Sequence, residues 1–122
     1  MLLFRCFALM AGIAVSGCAA NPKISDLTPQ QQKLAQSVKL YDGADHPEKF
    51  QRLERVSGLS CLRGTVSYTR FSQSVAREGL RLNAALLNGN AVINVTCELR
   101  GVDYETNCWR SHICFGDAVR VD

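Results

Sequence analysis

The 122-residue sequence has only two histidines, three prolines, two methionines and one tryptophan, and 7% of it is aromatic. With so few histidines, acid–base catalysis has little to work with. His46 lies in a DHPE turn and His112 beside Cys114, and neither has a nucleophile or carboxylate partner at motif spacing. No CxxC pair occurs among the six cysteines, which argues against a zinc site and against a thiol–disulfide catalyst. There is no second apolar run near the roughly 18 residues a spanning helix needs, which excludes a polytopic membrane protein. Internal repeats and low-complexity domains are missing too, and one small domain leaves no room for a cofactor domain beside a substrate domain. No enzymatic activity, cofactor, metal or nucleic-acid partner is expected. What is present, 47% hydrophobic and 20% charged residues, rules out full disorder and suits a modest core.

The N-terminus reads as a processing signal. Arg5 supplies the positive region, and residues 7–15 (FALMAGIAV) form an apolar stretch too short to cross a bilayer. VSGC, at residues 15–18, resembles the lipobox of bacterial lipoproteins, in which the matching cysteine is acylated and the signal is cut before it. A plain signal peptide with an incidental cysteine is the other reading. On the lipobox reading, residues 1–17 are removed, Cys18 carries the lipid, and several acyl chains anchor the chain stably without spanning the membrane. Ala19 and Ala20 follow Cys18 where retained lipoproteins carry an aspartate, which resembles outer-membrane sorting. The mature chain of 105 residues then faces the periplasm of a Gram-negative host, with a net side-chain charge of +2.

Residues 18–35, with two prolines and a run of glutamines, read as a tether ending in a helical turn after Thr28, with Pro29 at its first position. A domain over residues 36–122 follows. Residues 37–41 suit a strand, residues 43–47 (GADHP) a turn, and residues 50–56 a second strand broken by Ser57 and Gly58. Between Arg70 and Asn88, Phe71, Val75, Leu82 and Leu86 recur at helical spacing, with Ser67 or Thr69 as the cap and Gly89 as the stop. Ala91, Ile93, Val95, Cys97 and Leu99 then alternate with polar residues and Val92, as in a half-buried strand, and residues 113–121 have the same character. The order predicts an α+β fold, one main helix packed on a small, mainly antiparallel sheet.

With Cys6 in the signal and Cys18 acylated, Cys61, Cys97, Cys108 and Cys114 remain. In an exported domain this small they read as a disulfide framework, and three connectivities are open. Should residues 91–99 and 113–121 pair as a hairpin centred near Glu105 and Thr106, Cys97 would face Cys114, leaving Cys108 to reach Cys61. One conflict follows. Cys114 would then share a face with Gly116 and Ala118, away from Ile113 and Phe115, unless a bulge near Gly116 changes the parity.

VSGLSC (residues 56–61), the helix, NAV (90–92), Cys97 with Glu98, CWR (108–110) and ICFG (113–116) together resemble the RcsF family of outer-membrane stress-sensor lipoproteins. The resemblance covers residues 56–121, just over half the chain. It implies a lipidated N-terminus and a small α+β periplasmic domain with disulfides Cys61–Cys108 and Cys97–Cys114. It further implies sensing of envelope damage, signalling through an inner-membrane regulator to the Rcs phosphorelay, and association with outer-membrane barrel proteins and their assembly machinery. The chain departs from the family in its tether, which is long and proline-rich there. Here 17 residues carry only Pro22 and Pro29 and reach at most about 60 Å.

Arg70, Ser74, Arg77 and Arg81 share one face of the predicted helix, opposite the apolar stripe. They suit docking of an acidic partner or a phosphate-bearing lipid, and equally an ordinary solvated face. Trp109 suits either a partner anchor or a cap over the neighbouring disulfide.

Overall fold

The computed structural model describes residues 21–63 and 71–122. They form a 3-10 turn (Ile24–Asp26), α1 (Pro29–Ser37), β1 (Lys39–Asp42), β2 (Gln51–Leu62), α2 (Gln73–Leu86), β3 (Ala91–Arg100) and β4 (Arg110–Arg120). The strands make one sheet in the order β1-β3-β4-β2, antiparallel except for the β1–β3 pair. Both helices pack on one face of it around Ala35, Leu80, Val92 and Ala118. The fold is α+β as expected, with a second helix beside the main one.

In α2 the apolar stripe buries Ala76, Leu80, Leu82, Ala84 and Ala85. Its cap is Ser72, whose Oγ accepts from the Val75 N–H at 3.3 Å. The expected caps, Ser67 and Thr69, lie outside the described residues. At the other end Asn88, with φ of 61°, takes the left-handed position assigned to Gly89, and the Gly89 N–H returns to the Ala84 carbonyl at 2.8 Å. An asparagine tolerates that conformation, so the NGN stop works one residue earlier than expected.

β2 does not break at Ser57 and Gly58 but continues to Leu62. Gly58 lies under α2. A Cβ there would sit 1.9 Å from the Ala76 carbonyl oxygen and 2.8 Å from the Leu80 nitrogen. In this strand glycine marks the close approach of another backbone, not a turn.

The parity conflict is resolved on β3. The β3–β4 register shifts by one between Ile93 and Thr96, and Asn94 there has φ of 56°. This bulge puts Val92, Val95 and Cys97 on the helix side. Ala91 and Ile93 go to the other face, where they join Val119, Tyr41, Phe50 and Val121. Cys114, Gly116 and Ala118 are therefore the row that faces the helices, and the bulge is at Asn94 rather than Gly116. Leu99, expected on the buried face, is 52% exposed.

The tether expected over residues 18–35 overlaps this helical layer. Thr28 and Gln31 cap α1 reciprocally, and Leu27, Ala35 and Val38 are buried. Further back, the Asn21 side chain behaves as a short strand. Its Nδ2 donates to the Leu59 carbonyl and its Oδ1 accepts from the Leu59 N–H, both at 2.7 Å, on the free edge of β2. Gly79 makes room for it, since a Cβ there would lie 2.2 Å from Asn21 Oδ1. Two prolines, a glutamine run and the lack of a sustained apolar period suggest a tether, yet three buried apolar side chains suffice to dock the segment.

Replacing Gly58 with alanine should force α2 off the sheet. Overpacking against backbone costs about 1 to 3 kcal/mol, which a thermal melt followed by far-UV circular dichroism would read as a clearly lowered Tm.

Candidate functional site

Two disulfides hold the end of the sheet away from the β1 start. Cys97 and Cys114 face each other directly across β3 and β4, with Cα atoms 4.0 Å apart, and Cys114 is fully buried. Cys61, near the end of β2, joins Cys108 in the β3–β4 connection with Cα atoms 5.5 Å apart. That connection is further held by mutual Asp103–Cys108 backbone bonds at 2.9 and 3.0 Å and by the Trp109 N–H on the Leu62 carbonyl at 2.8 Å. Both pairings are the expected ones. Trp109 itself is 62% exposed.

The basic helix face is largely used internally. Arg77 grips the Asp42 carboxylate at 2.7 and 3.3 Å, tying α2 to β1. Arg81 donates to the Val38 carbonyl at 3.3 Å and to Glu78 at 3.2 Å. Ser74 Oγ contacts Ser72 Oγ at 2.9 Å, and Arg70 lies outside the described residues. Arg77 and Arg81 thus form one wall of a cleft of about 550 Å³, lined also by Gln36, Val38, Lys39 and Leu40. The hydrogen bond from Arg77 holds the Asp42 carboxyl below the usual aspartate range.

A second charged surface, not anticipated, lies on the sheet face opposite the helices. Asp117 accepts from Arg52 at 2.8 Å and from Asn94 Nδ2 at 2.9 Å, with Arg55 at 4.0 Å. Beside it, the guanidinium groups of Arg55 and Arg100 lie 5.3 and 5.7 Å from the Phe115 ring centre. The i, i+2 spacing of Phe115 and Asp117 carried this signal, but their face was assigned only once the bulge was known. Of the histidines, His112 packs on Phe71 at 4.7 Å and His46 on Phe50 at 5.8 Å. Among the described residues, no three His, Cys, Asp or Glu side chains cluster as metal ligands do.

Two disulfides, a core of small side chains and charged open surfaces define a stapled α+β domain of the kind found in exported proteins. Comparison with known proteins makes this specific. The family described as RcsF lipoprotein matches residues 14–122. The outer membrane lipoprotein RcsF of Escherichia coli K12 is 28% identical over 109 residues, 88% of this chain and 78% of that protein. Its namesake from Escherichia coli O6:H1 strain CFT073 gives the same values. The chain belongs to the RcsF lipoprotein family. It is accordingly an outer-membrane lipoprotein with a role in the Rcs system, and a sensor lipoprotein instead of an enzyme.

Replacing Cys61 and Cys108 together with serine should cost about 4 kcal/mol, and replacing Cys97 and Cys114 with alanine about 3 kcal/mol, from loop-closure entropy. Each loss is comparable to the whole stability of a domain this size and would be measured by urea denaturation. For Asp42, a depressed folded pKa means that its pairing with Arg77 stabilises the fold above the ordinary aspartate value and is lost as pH falls through the folded one. The pair is solvent-facing, so the effect on stability is small. A carboxyl NMR titration should show the Asp42 midpoint moving upward in Arg77→Gln.

Proposed function

We propose that the chain is an envelope-stress sensor or adaptor, held in the outer membrane by lipid on Cys18, that signals to a Rcs-type phosphorelay through protein–protein contacts. The observation that carries this reading is the family match over residues 14–122, which begins one residue before the lipobox and takes in all of it and all four domain cysteines. On this reading residues 1–17 are removed, and the partners are outer-membrane barrel assembly proteins and an inner-membrane regulator. The cleft walled by Arg77 and Arg81, with Lys39 at its rim, supports docking by shape and charge together, because its arginines are held in place by Asp42 and Glu78.

A second reading, a structural or binding lipoprotein without signalling output, is favoured by one observation. Asn21 is bonded to Leu59, so only Ala19 and Ala20 separate Cys18 from the folded domain. Three residue steps reach about 11 Å, far short of an inner-membrane partner unless that partner comes to the domain.

The two readings separate in a deletion strain carrying a phosphorelay reporter. Under outer-membrane damage, induction should be lost on deletion and restored by the wild-type chain, whereas the Arg77→Glu, Arg81→Glu double variant should restore less of it and recover less partner. Unchanged induction after deletion would leave only the second reading.

A further inference from the structure

The described residues expose five large hydrophobic side chains, and four of them, Leu99, Val102, Tyr104 and Trp109, lie at the β3–β4 hairpin tip. Tyr104 is 92% exposed, and Val102, Tyr104 and Trp109 border a shallow cleft of about 180 Å³. The fifth, Ile24, is three residues from Asn21. The tip is also rigid, since Cys108 is bound to Cys61 and the Trp109 N–H to Leu62. Exposed aromatic rings on a stapled loop are unusual on a surface that meets only water.

Their position relative to the lipid anchor identifies what they meet. Asn21 is bonded to Leu59, two residues, or about 7 Å, from Cys61. Leu59 is about 10 Å from the Leu62 end of β2 and about 26 Å from the Gln51 end, so the clamp lies at the hairpin end of the sheet. Cys18 is at most about 11 Å from the clamp. The bilayer holding its acyl chains is thus drawn up to the end of the domain that carries the aromatic tip.

We infer that the hairpin tip, through Leu99, Val102, Tyr104 and Trp109, seats on the lipid surface of the membrane that holds the anchor; this rests on the reading of Cys18 as the acylated residue. Tryptophan and tyrosine suit the headgroup region, where an apolar ring and a polar edge are both satisfied. Among the described residues the charges around the tip balance, Arg63, Arg100 and Arg110 against Glu98, Asp103 and Glu105, with Arg100 paired with Glu98 and near Asp103, so ring burial and not net charge drives the contact. The acyl anchor supplies the high local concentration that lets a small apolar patch bind.

Trp109 is the chain's single tryptophan and reports on the contact directly. The full lipidated protein is reconstituted into phosphatidylethanolamine and phosphatidylglycerol vesicles with brominated acyl chains, and recovery is checked by flotation. Seating predicts blue-shifted Trp109 emission, quenching by bromolipid and loss of access to iodide. The Leu99→Ser, Val102→Ser, Tyr104→Ser triple variant should lose these signals while still floating. A floating wild-type protein whose Trp109 keeps its aqueous emission and iodide access would overturn the inference. So would shielding seen only in native outer-membrane vesicles, which would assign the tip to a protein partner. Failure to float at all would instead remove the Cys18 anchor on which the inference depends.

Discussion

One extra residue in β3 sets the arrangement of this domain. With the register that pairs Ala91 with Val119 and Val92 with Ala118 carried straight on, Cys97 would face Ile113. The bulge at Asn94 advances β3 by one position, and Cys97 then meets Cys114 on the helix side. The same shift lets Val92 and Val95, an odd number of residues apart, share the core face, and it brings Asn94 alongside Asp117 on the other. Core composition, disulfide and surface charge cluster all follow from a left-handed asparagine.

The disulfide matters because the core is built of small side chains. Among fully buried residues the largest are Leu80, Val92, Val119, Cys114 and Ser111, and no described aromatic is fully buried. Alanines on α2 face Gly58 and Ala118 on the sheet, so the helix lies close and the layer between them is thin. Close packing gains dispersion contacts, but the apolar area per residue is modest, and a domain near one hundred residues has little stability to spare. Covalent staples that restrict the unfolded chain make up part of that shortfall.

How far the sequence revealed this depends on what each signal measures. The α2 stripe was legible because helical periodicity reports burial on one side, and the strands were legible because alternation does the same. Gly58 was misread because a glycine that admits a helix backbone looks, in one dimension, like one that ends a strand. β3 was assigned the wrong inward row because alternation assumes an uninterrupted pleat, and Asn94 carries no mark that distinguishes it from any other strand asparagine. The disulfide pairing survived that error, since it depended on which cysteines lie opposite and not on which face they point to. Asn21 left no trace at all: its role requires Gly79 and the edge of β2, 58 and 38 positions away.

The arginines show a related limit. A helical wheel places Arg77 and Arg81 on a free basic face, but Asp42 and Val38 arrive there only when β1 pairs with β3 and α1 docks. Their charge is then spent locally, and what remains for a partner is a shaped cleft with fixed guanidinium groups. The cleft lies along β1 at one edge of the sheet, whereas the Asn21 clamp lies on β2 at the other edge, with α2 between them. With Cys18 as the proposed anchor, a leash entering at the β2 edge leaves the cleft at the β1 edge open to a partner. On the same proposal, the three residue steps from Cys18 to Asn21 limit how far the domain travels from the membrane, so a distant partner has to come to the domain.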